Sequence, residues 1–236
     1  MDVPRAKGIL EKWFSITEVM PPSCFSAYVL NGKSLYILLT NCEEQNSETQ
    51  NIISELSSLV ERTTRGKQVP LPQAAKVFYG EKSPVYFKNS SAGMYKSFGD
   101  IKDCIETVLE KVTSTPGMIY QVNTLGGKID DANFAVQSSY SHRGQKYLSE
   151  LQTYWQQASQ TDKMVKAFED VQQIFYAGGI RQQYRNYPDI NLKDWASAYY
   201  GDNYSRLQKV KARYDPENIF RYEQSVTPLN FSKVGQ

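Results

Sequence analysis

Histidine and cysteine are scarce in this sequence of 236 residues, which has one histidine, His142, and three cysteines. Cys24, Cys42 and Cys104 lie far apart and form no CxxC pair. Because a structural zinc site needs several such ligands at short spacings, we predict that the chain holds no metal. All three cysteines fall within apolar stretches, where a cysteine is usually a buried free thiol. We therefore expect three buried free thiols.

An excess of charge of either sign is also missing. The 27 basic and 25 acidic side chains leave a formal net charge of +2, which argues against a protein that binds nucleic acid or a membrane surface through bulk charge. No apolar run is long enough to span a membrane, and the first residues, MDVPRAKGILEKWF, contain no apolar segment typical of a signal peptide. We expect a cytoplasmic protein, or a secreted one if the chain is a fragment of a longer protein.

The remaining composition is that of a globular domain, with 40% hydrophobic and 22% charged residues. Apolar residues at helical spacing predict helices, and the best supported covers 99–112, where Ser97 and Asp100 form a capping box. Asn31-Gly32 between two apolar runs predicts a hairpin. The predicted order is helix 4–15, strands 26–30 and 34–41, helix 48–62, a strand within 76–95, helix 99–112, strands 117–125 and 134–140, helices 145–160 and 161–176, and short C-terminal helices at 191–201 and 204–214. We predict an α+β fold, in which a large antiparallel sheet is backed by helices and followed by a helical C-terminal segment.

Three motifs that resemble functional sites have simpler structural explanations. Gly126-Gly127 lacks the spacing of a nucleotide-binding loop, so it indicates a tight turn at a strand end. His142 stands without the nucleophile and acid of a catalytic triad, and we interpret it as a structural hydrogen-bonding residue. The basic stretch 206–213 is interpreted as a solvated helix face, because the chain as a whole is nearly neutral.

Five tyrosines lie within a short span near the C-terminus: Tyr184, Tyr187, Tyr199, Tyr200 and Tyr204. Packing of a C-terminal tail would account for them, and so would a proton-handling site beside a cofactor. A phenol has an ordinary pKa of about 10, so it acts as a base near neutral pH only where its phenolate is stabilised. The residue pattern alone leaves both interpretations open.

Four motifs follow one another in the C-terminal third: YRNYPD (184–189), a helix with Trp195, YYGDNYSRL (199–207) and KARYDPENIFRYEQS (211–225). Upstream, QVNTLGGKIDDANFAVQSSYSHRGQKY (121–147) combines a strand, a double glycine and an HR pair. In type, order and spacing these motifs resemble those of the berberine bridge enzyme-like family of FAD-linked oxidases. FKNSSAGMYK (87–96) and residues 10–32 also resemble parts of the family's substrate domain, so the resemblance covers nearly the whole chain.

The resemblance implies an antiparallel sheet of about seven strands that lies over the isoalloxazine ring of FAD. In the family, the second tyrosine of YxNYxD is a frequent catalytic base and the first lines the same pocket, so Tyr187 and Tyr184 are predicted catalytic residues. Asn186 and Tyr187 are predicted to contact the cofactor. Gln121, five positions before the double glycine, and Asn123 are predicted to bind substrate. Some members carry a carboxylate at the place of Asn123 or a glutamate base at the place of Gln121, whereas this chain has amides at both.

In the family an N-terminal half wraps FAD with a glycine-rich loop and can bind it through a histidine and a cysteine, and this sequence shows no such elements. Residues 1–180 are therefore predicted to be a substrate-binding-like domain, and 181–236 the segment that returns to the FAD domain. One hypothesis is a FAD-dependent oxidoreductase component that oxidises a sugar or alcohol by hydride transfer to flavin, once a separate FAD-binding chain or self-association completes it. The alternative is a truncated, non-catalytic remnant or a binding module without redox activity. We do not expect this chain alone to retain FAD.

Overall fold

A five-stranded antiparallel sheet organises the computed structural model, which describes residues 1–74, 76 and 85–229. The strands lie in the order β2-β1-β4-β5-β3. They are β1 (Cys24–Asn31), β2 (Ser34–Asn41), β3 (Tyr86–Tyr95), β4 (Met118–Thr124) and β5 (Tyr147–Trp155). The helices are α1 (Val3–Glu18), α2 (Ser47–Ser58), α3 (Leu71–Ala74), α4 (Ile105–Ser114), α5 (Thr161–Ala177), α6 (Trp195–Tyr200) and α7 (Tyr204–Tyr214).

Helices α1, α4 and α5 pack on one face of the sheet and enclose the hydrophobic core. Helix α1 begins where the Asp2 side chain accepts a hydrogen bond from the backbone N–H of Arg5 (2.9 Å), which satisfies one of the free donors of the first turn. On its inner face Trp13 is fully buried and donates its indole N–H to the hydroxyl of Ser26 on β1 (2.9 Å). Burying one large apolar side chain contributes about 1.5–3 kcal/mol, so this layer accounts for much of the stability of the fold.

The opposite face of the sheet, called here the open face, carries polar side chains. Residues that are directly opposite on neighbouring strands share a face, so the strand register defines a row across the sheet. Val29 pairs with Gln121, Gln121 with Glu150, and Glu150 with Ser91. This central row of the open face brings residues from four separate parts of the sequence side by side.

The C-terminal segment runs along the outer edge of β3 and covers it. The backbone N–H of Met94 donates to the carbonyl of Gln182 (3.2 Å), and that of Ser91 donates to the carbonyl of Tyr187 (3.0 Å). A change of register between Ser91 and Gly93 bends β3 at this place, as β-bulges do. An edge strand with free backbone groups is thereby paired, and the segment is held against the open face.

The predicted α+β fold is confirmed, but two predicted elements are wrong. Residues 134–140 were expected to form a strand, and they lie instead in the 3-10 helix Ala132–Gln137 and the extended chain after it. Residues 145–160 were expected to form a helix, and they contain strand β5. The apolar residues Leu148, Leu151 and Trp155 are spaced as on one helix face, and a short apolar stretch fits both structures by its pattern. These residues form a strand because they pair with β3 on one side and with β4 on the other.

Other expectations have mixed outcomes. Cys42 is exposed and Cys24 and Cys104 are only partly buried, so the prediction of three buried thiols is wrong, although all three are free. The resemblance implied about seven strands, and the described part of the chain has five. The predicted strand within 76–95 is β3, and its first part, 77–84, lies outside the described residues. The division into 1–180 and 181–236 stays a prediction.

Neither a membrane span nor a metal cluster is found within the described ranges. No helix there is long and apolar enough to cross a membrane. Histidine, cysteine, aspartate and glutamate side chains of those residues do not gather into a group of three that could hold a metal ion.

Candidate functional site

The two predicted catalytic tyrosines lie together on a turn fixed to β3. The backbone N–H of Tyr187 donates to the carbonyl of Tyr184 (3.0 Å), which closes a four-residue turn. The backbone N–H of Tyr184 donates to the hydroxyl of Ser91 (3.0 Å). Their rings meet edge to face, with centroids 5.3 Å apart and planes at 90°. Ser91 therefore attaches both phenols to the central row of the open face.

Asn186, predicted to contact the cofactor, orients the first of these phenols. Its side-chain amide donates to the hydroxyl of Tyr184 (2.9 Å) and is itself exposed. Tyr140 lies in the loop before β5. Its pKa is raised to about 12, mainly by burial and further by the electrostatic interaction with Tyr184. The phenol of Tyr184 thus lies between an exposed amide and a second, half-buried phenol.

The two predicted substrate-binding amides lie on β4 and bond to each other. The amide nitrogen of Gln121 donates to the side-chain oxygen of Asn123 (2.8 Å), and Asn123 donates to the carbonyl of Leu148 on β5 (3.5 Å). Residues two apart on a strand share a face, so both amides belong to the open face. The bond orients the half-buried amide of Gln121.

Glu150 lies between the two predicted groups, and the sequence analysis missed it. It pairs across the sheet with Gln121 on one side and Ser91 on the other. The residue is only 6% exposed, and its carboxylate accepts a hydrogen bond from the amide of Asn89 (3.1 Å). Burial raises the pKa of Glu150 above its ordinary value, while hydrogen bonds with Asn89 and Gln152 partly offset this rise. None of the ion pairs among the described residues includes Glu150.

The charge of Glu150 acts on the tyrosines around it. The pKa of Tyr187 is raised by burial, and further by Glu150 and Tyr184. The pKa of Tyr154, on β5 itself, is raised by burial and then by Glu150. Because every one of these effects disfavours phenolate, Tyr187 is a neutral phenol near neutral pH. It can take up a proton only if it passes its own proton to a neighbouring base.

One signal in the sequence could have revealed Glu150. In YLSELQTYW (147–155), Tyr147, Ser149 and Leu151 alternate and are all buried. Treated as a strand, this stretch places Glu150 on the other face, opposite the helices. Because 145–160 was predicted to be a helix, this alternation was not used.

The other motifs of the sequence have structural surroundings. His142 is buried, and its Nε2 lies 3.5 Å from the hydroxyl of Ser141, which donates to the carbonyl of Tyr199 (3.1 Å). This contact joins the loop before β5 to the C-terminal segment. Burial lowers the pKa of His142, and backbone groups of Tyr199 and Gln183 partly offset the effect. Gly127 has a φ of +57° at the start of the single-turn 3-10 helix Gly127–Ile129, a conformation that glycine adopts without strain.

The fold and this cluster of side chains together describe an α+β protein with a polar group of residues on the sheet face opposite the helices. Amides, phenols and one buried carboxylate converge there, and these are groups that can form hydrogen bonds and exchange protons.

Comparisons with known proteins identify the relatives of this site. The family model described as "Berberine and berberine like" matches residues 183–227. The FAD-linked oxidoreductase YvdP of Bacillus subtilis is 34% identical over 122 residues, which cover 51% of this chain and 26% of that protein. Berberine bridge enzyme-like 17 of Arabidopsis thaliana is 26% identical over 73% of this chain and 36% of its own length. The structure of berberine bridge enzyme from Eschscholzia californica has a TM-score of 0.75 over 98% of this chain and 54% of that one, at 18% identity, and so shows a shared fold.

The resemblance to the berberine bridge enzyme-like family of FAD-linked oxidoreductases, which the sequence motifs predicted, is therefore confirmed. The chain spans between 26% and 36% of these two curated relatives and about half, 54%, of the solved structure. The catalytic, substrate-binding and cofactor-binding roles of Tyr184, Tyr187, Gln121, Asn123 and Asn186 stay predictions.

Proposed function

We propose that this chain provides the substrate-facing part of a FAD-dependent oxidoreductase that oxidises a hydroxyl group of a sugar or alcohol. The observation that carries the proposal is the meeting of Tyr184 and Tyr187 with Gln121 and Glu150 at one row of the open face. Residues 183–227, which match the family model, contain both tyrosines. The FAD-linked relatives support flavin as the electron acceptor.

The open face suits the flavin ring of FAD better than its pyrophosphate. A flat aromatic ring fits against half-buried phenols and an exposed amide, so Tyr187 and Asn186 would contact the flavin ring. A pyrophosphate needs converging backbone N–H groups at a glycine-rich turn or at a helix N-terminus. Among the described residues, Gly126-Gly127 leads only into a single 3-10 turn. We therefore assign the phosphate part of FAD to a FAD-binding half outside these residues. The flavin, when bound, accepts the hydride from the substrate carbon.

The side chains of this chain would hold the reacting hydroxyl group and take its proton. Gln121, fixed by Asn123, offers its amide to a substrate oxygen. Tyr184 is oriented by Asn186, and its phenol and that of Tyr187 form a polar edge above the sheet. Oxidation of an alcohol carbon releases the hydroxyl proton, and a base placed to receive it contributes typically 10²–10⁴-fold in rate.

Exposed apolar side chains of the C-terminal segment support a partner for this chain. Tyr214, Ile219, Phe220 and Tyr222 are 62–77% exposed. The carboxylate of Asp215 accepts hydrogen bonds from the backbone N–H groups of Ile219 (2.8 Å) and Phe220 (3.1 Å), which hold the backbone of these two residues. Contiguous exposed apolar groups mark interaction surfaces. We propose that a FAD-binding half, in the same protein or in a separate chain, covers this patch.

Flavin retention and turnover test the proposed function. The chain, alone and with a FAD-binding half of a relative, is incubated with FAD, passed through a desalting column and examined for flavin absorbance. Reduction of a dye is then followed with glucose and with benzyl alcohol. We expect turnover of at least one of them and a loss of at least about tenfold in Tyr187→Phe, the cost of one hydrogen bond to a reacting group. Tyr36→Phe, at the far strand β2 and 53% exposed, is the matched control. Retention of no flavin in any combination would contradict the proposal and favour a binding module.

A further inference from the structure

An ion pair of low exposure joins the sheet to the chain just after residues 184–187, called here the tyrosine turn. The ammonium group of Lys88 on β3 lies 3.3 Å from the carboxylate of Asp189, and the two side chains are 18% and 14% exposed. We propose that this ion pair positions Tyr187, so that Lys88 and Asp189 are positioning residues of the site. The inference rests on the proposed function and deepens it, because it names what holds the phenol in place.

The cation of the pair is held within the layer formed by the sheet and α5. Lys88 pairs with Thr153 on β5, and the hydroxyl of Thr153 donates to the carbonyl of Lys88 (3.2 Å). The ammonium group lies 5.1 Å from the centre of the Phe168 ring on α5, which is fully buried. A cation over the face of an aromatic ring is attracted to it. Lys88 therefore presents its charge from a well-packed part of the fold.

The anion of the pair is the point where the chain after the tyrosine turn is held. The backbone N–H of Asp189 donates to the hydroxyl of Tyr199 (2.9 Å), and its carbonyl accepts the side-chain amide of Gln224 (2.8 Å). Its carboxylate also accepts the backbone N–H of Asn191 (3.0 Å). These three partners belong to the C-terminal segment, whereas Lys88 belongs to the sheet. The ion pair therefore aligns the one with the other.

The backbone between Asp189 and Tyr187 has little freedom to absorb a shift. Pro188 stands between them, and its ring fixes φ near −65°. The carbonyl of Tyr187 accepts the backbone N–H of Ser91 (3.0 Å), and the N–H of Tyr187 donates to the carbonyl of Tyr184 (3.0 Å). Because a single rigid residue separates the two, a displacement of Asp189 moves the backbone of Tyr187 and, with it, the phenol. Ser91 holds one side of this backbone and the ion pair holds the other.

Attachment of the C-terminal segment alone does not account for an ion pair at this place. Backbone bonds to β3 already attach the segment, including that from Met94 to Gln182 (3.2 Å). The other ion pairs of the described residues that join distant parts of the chain have side chains 33–79% exposed, where such pairs contribute little. At low exposure both charges lose solvent, a cost that only good geometry offsets. A costly pair in a segment that is already attached points to a need for a defined position.

Titration of the Tyr187 phenol, in the chain without flavin or substrate, is the first test. With ¹³C-labelled tyrosine rings, the signal missing from Tyr187→Phe identifies Tyr187. Burial raises the pKa of Tyr187, so a phenol that leaves its place should titrate at lower pH. Loss of a nearby cation by itself has the opposite sign, because a positive charge favours phenolate. We therefore expect Lys88→Met to lower the titration midpoint, and Lys88→Arg, which keeps the cation, to leave it near that of the original chain.

Two further variants separate position from stability. Lys111→Met removes the cation of the more exposed pair with Asp170 (3.4 Å) and should leave the midpoint of Tyr187 unchanged. Lys88→Met with Asp189→Asn leaves no buried charge unpaired, so it should be more stable to urea than Lys88→Met and still titrate at lower pH. This double variant keeps the test possible if Lys88→Met alone does not fold. A midpoint that is unchanged or raised in the double variant, or lowered equally in Lys111→Met, overturns the proposal.

Kinetics of the flavin-loaded protein, with a substrate from the turnover test above, is the second test. A displacement of about 1 Å can lower a rate about 10²-fold, so we expect the double variant to lose about 10–100-fold in kcat, with KM within about threefold. Combined with Tyr187→Phe, the same change should have no further effect, because the group that it positions is gone. An equal loss in that combination overturns the proposal. If no substrate is turned over, the proposed function fails, whereas the titration still decides whether the ion pair holds Tyr187.

Discussion

Ser91 is the point where the tyrosine turn joins the sheet, and Ser91→Ala tests how much that junction contributes. The side chain is 1% exposed, and its hydroxyl accepts the backbone N–H of Tyr184 (3.0 Å) and that of Gly93 (3.3 Å). Alanine keeps the backbone bond from Ser91 to the carbonyl of Tyr187 but removes this acceptor. A buried N–H left without a partner costs about 1–3 kcal/mol. Counting the shorter bond fully and the longer one weakly, we expect a loss of about 2 kcal/mol in the free energy of unfolding.

The assay for Ser91→Ala combines urea unfolding, followed by tryptophan fluorescence, with amide hydrogen exchange. The exchange of the Tyr184 amide should accelerate by about the factor that corresponds to the lost free energy, some thirtyfold for 2 kcal/mol. Ser58→Ala is the control, because this exposed hydroxyl bonds only within the last turn of α2 (2.7 Å to Glu55), and we expect a change below about 0.5 kcal/mol. A loss below 0.5 kcal/mol in Ser91→Ala, or an unchanged Tyr184 amide, would refute the view that Ser91 holds the turn.

Three further changes test the sheet and its buried ionisable groups by urea unfolding. Gly117→Ala should cost about 3 kcal/mol, because φ is +89° and a Cβ would lie 2.3 Å from the carbonyl oxygen of Tyr154, whereas Gly66→Ala, with open space around it, should cost little. Glu150→Gln should stabilise the protein at pH 7. The folded-state pKa of Glu150 is raised above 4.5 by burial, so the original chain loses stability as the pH rises through that pKa. The advantage of the glutamine variant should vanish below pH 4.5, where Glu150 is protonated in both states. His142, whose pKa is lowered from 6.5 by burial, should make the original chain less stable as the pH falls below 6.5, and a constant difference between His142→Gln and the original chain from pH 7 to 5 would contradict this.

Local signals in the sequence predicted most of the secondary structure. The helix at 99–112 was predicted from its apolar stripe and from Ser97 and Asp100. The structure has the capping box on a separate 3-10 helix, Phe98–Asp100, and α4 begins only at Ile105, so the helix is confirmed but its predicted start is wrong. The hairpin around Asn31-Gly32 was predicted because Gly32 adopts a positive φ, here +52°, at little cost. These elements are determined by contacts within a few residues, and such contacts are visible in a sequence.

Strand β5 and the residues that depend on it could not be found in that way. Its identity is decided by pairing with β3 and β4, which are distant in sequence, and the same residues fit a helix when taken alone. Glu150 and Asn89 are 61 residues apart, and only the order β4-β5-β3 brings their side chains to one hydrogen bond. Tyr184 and Tyr187 were found because a motif carries them in one short stretch.

The pairing of Gln121 with Glu150 places a carboxylate beside the two amides of β4. Directly opposite residues of an antiparallel pair have Cβ atoms about 4.5–5.5 Å apart, so a carboxylate on β5 reaches the same part of the open face as one on β4 would. Gln121 and Asn123 bond to each other and remain neutral, which leaves one negative charge in the row instead of two that would repel each other. The charge also lies directly beside Ser91, to which the tyrosine turn is attached. A sequence without an acid at 121 or 123 therefore still has a carboxylate at this place on the sheet, because the register supplies it from the neighbouring strand.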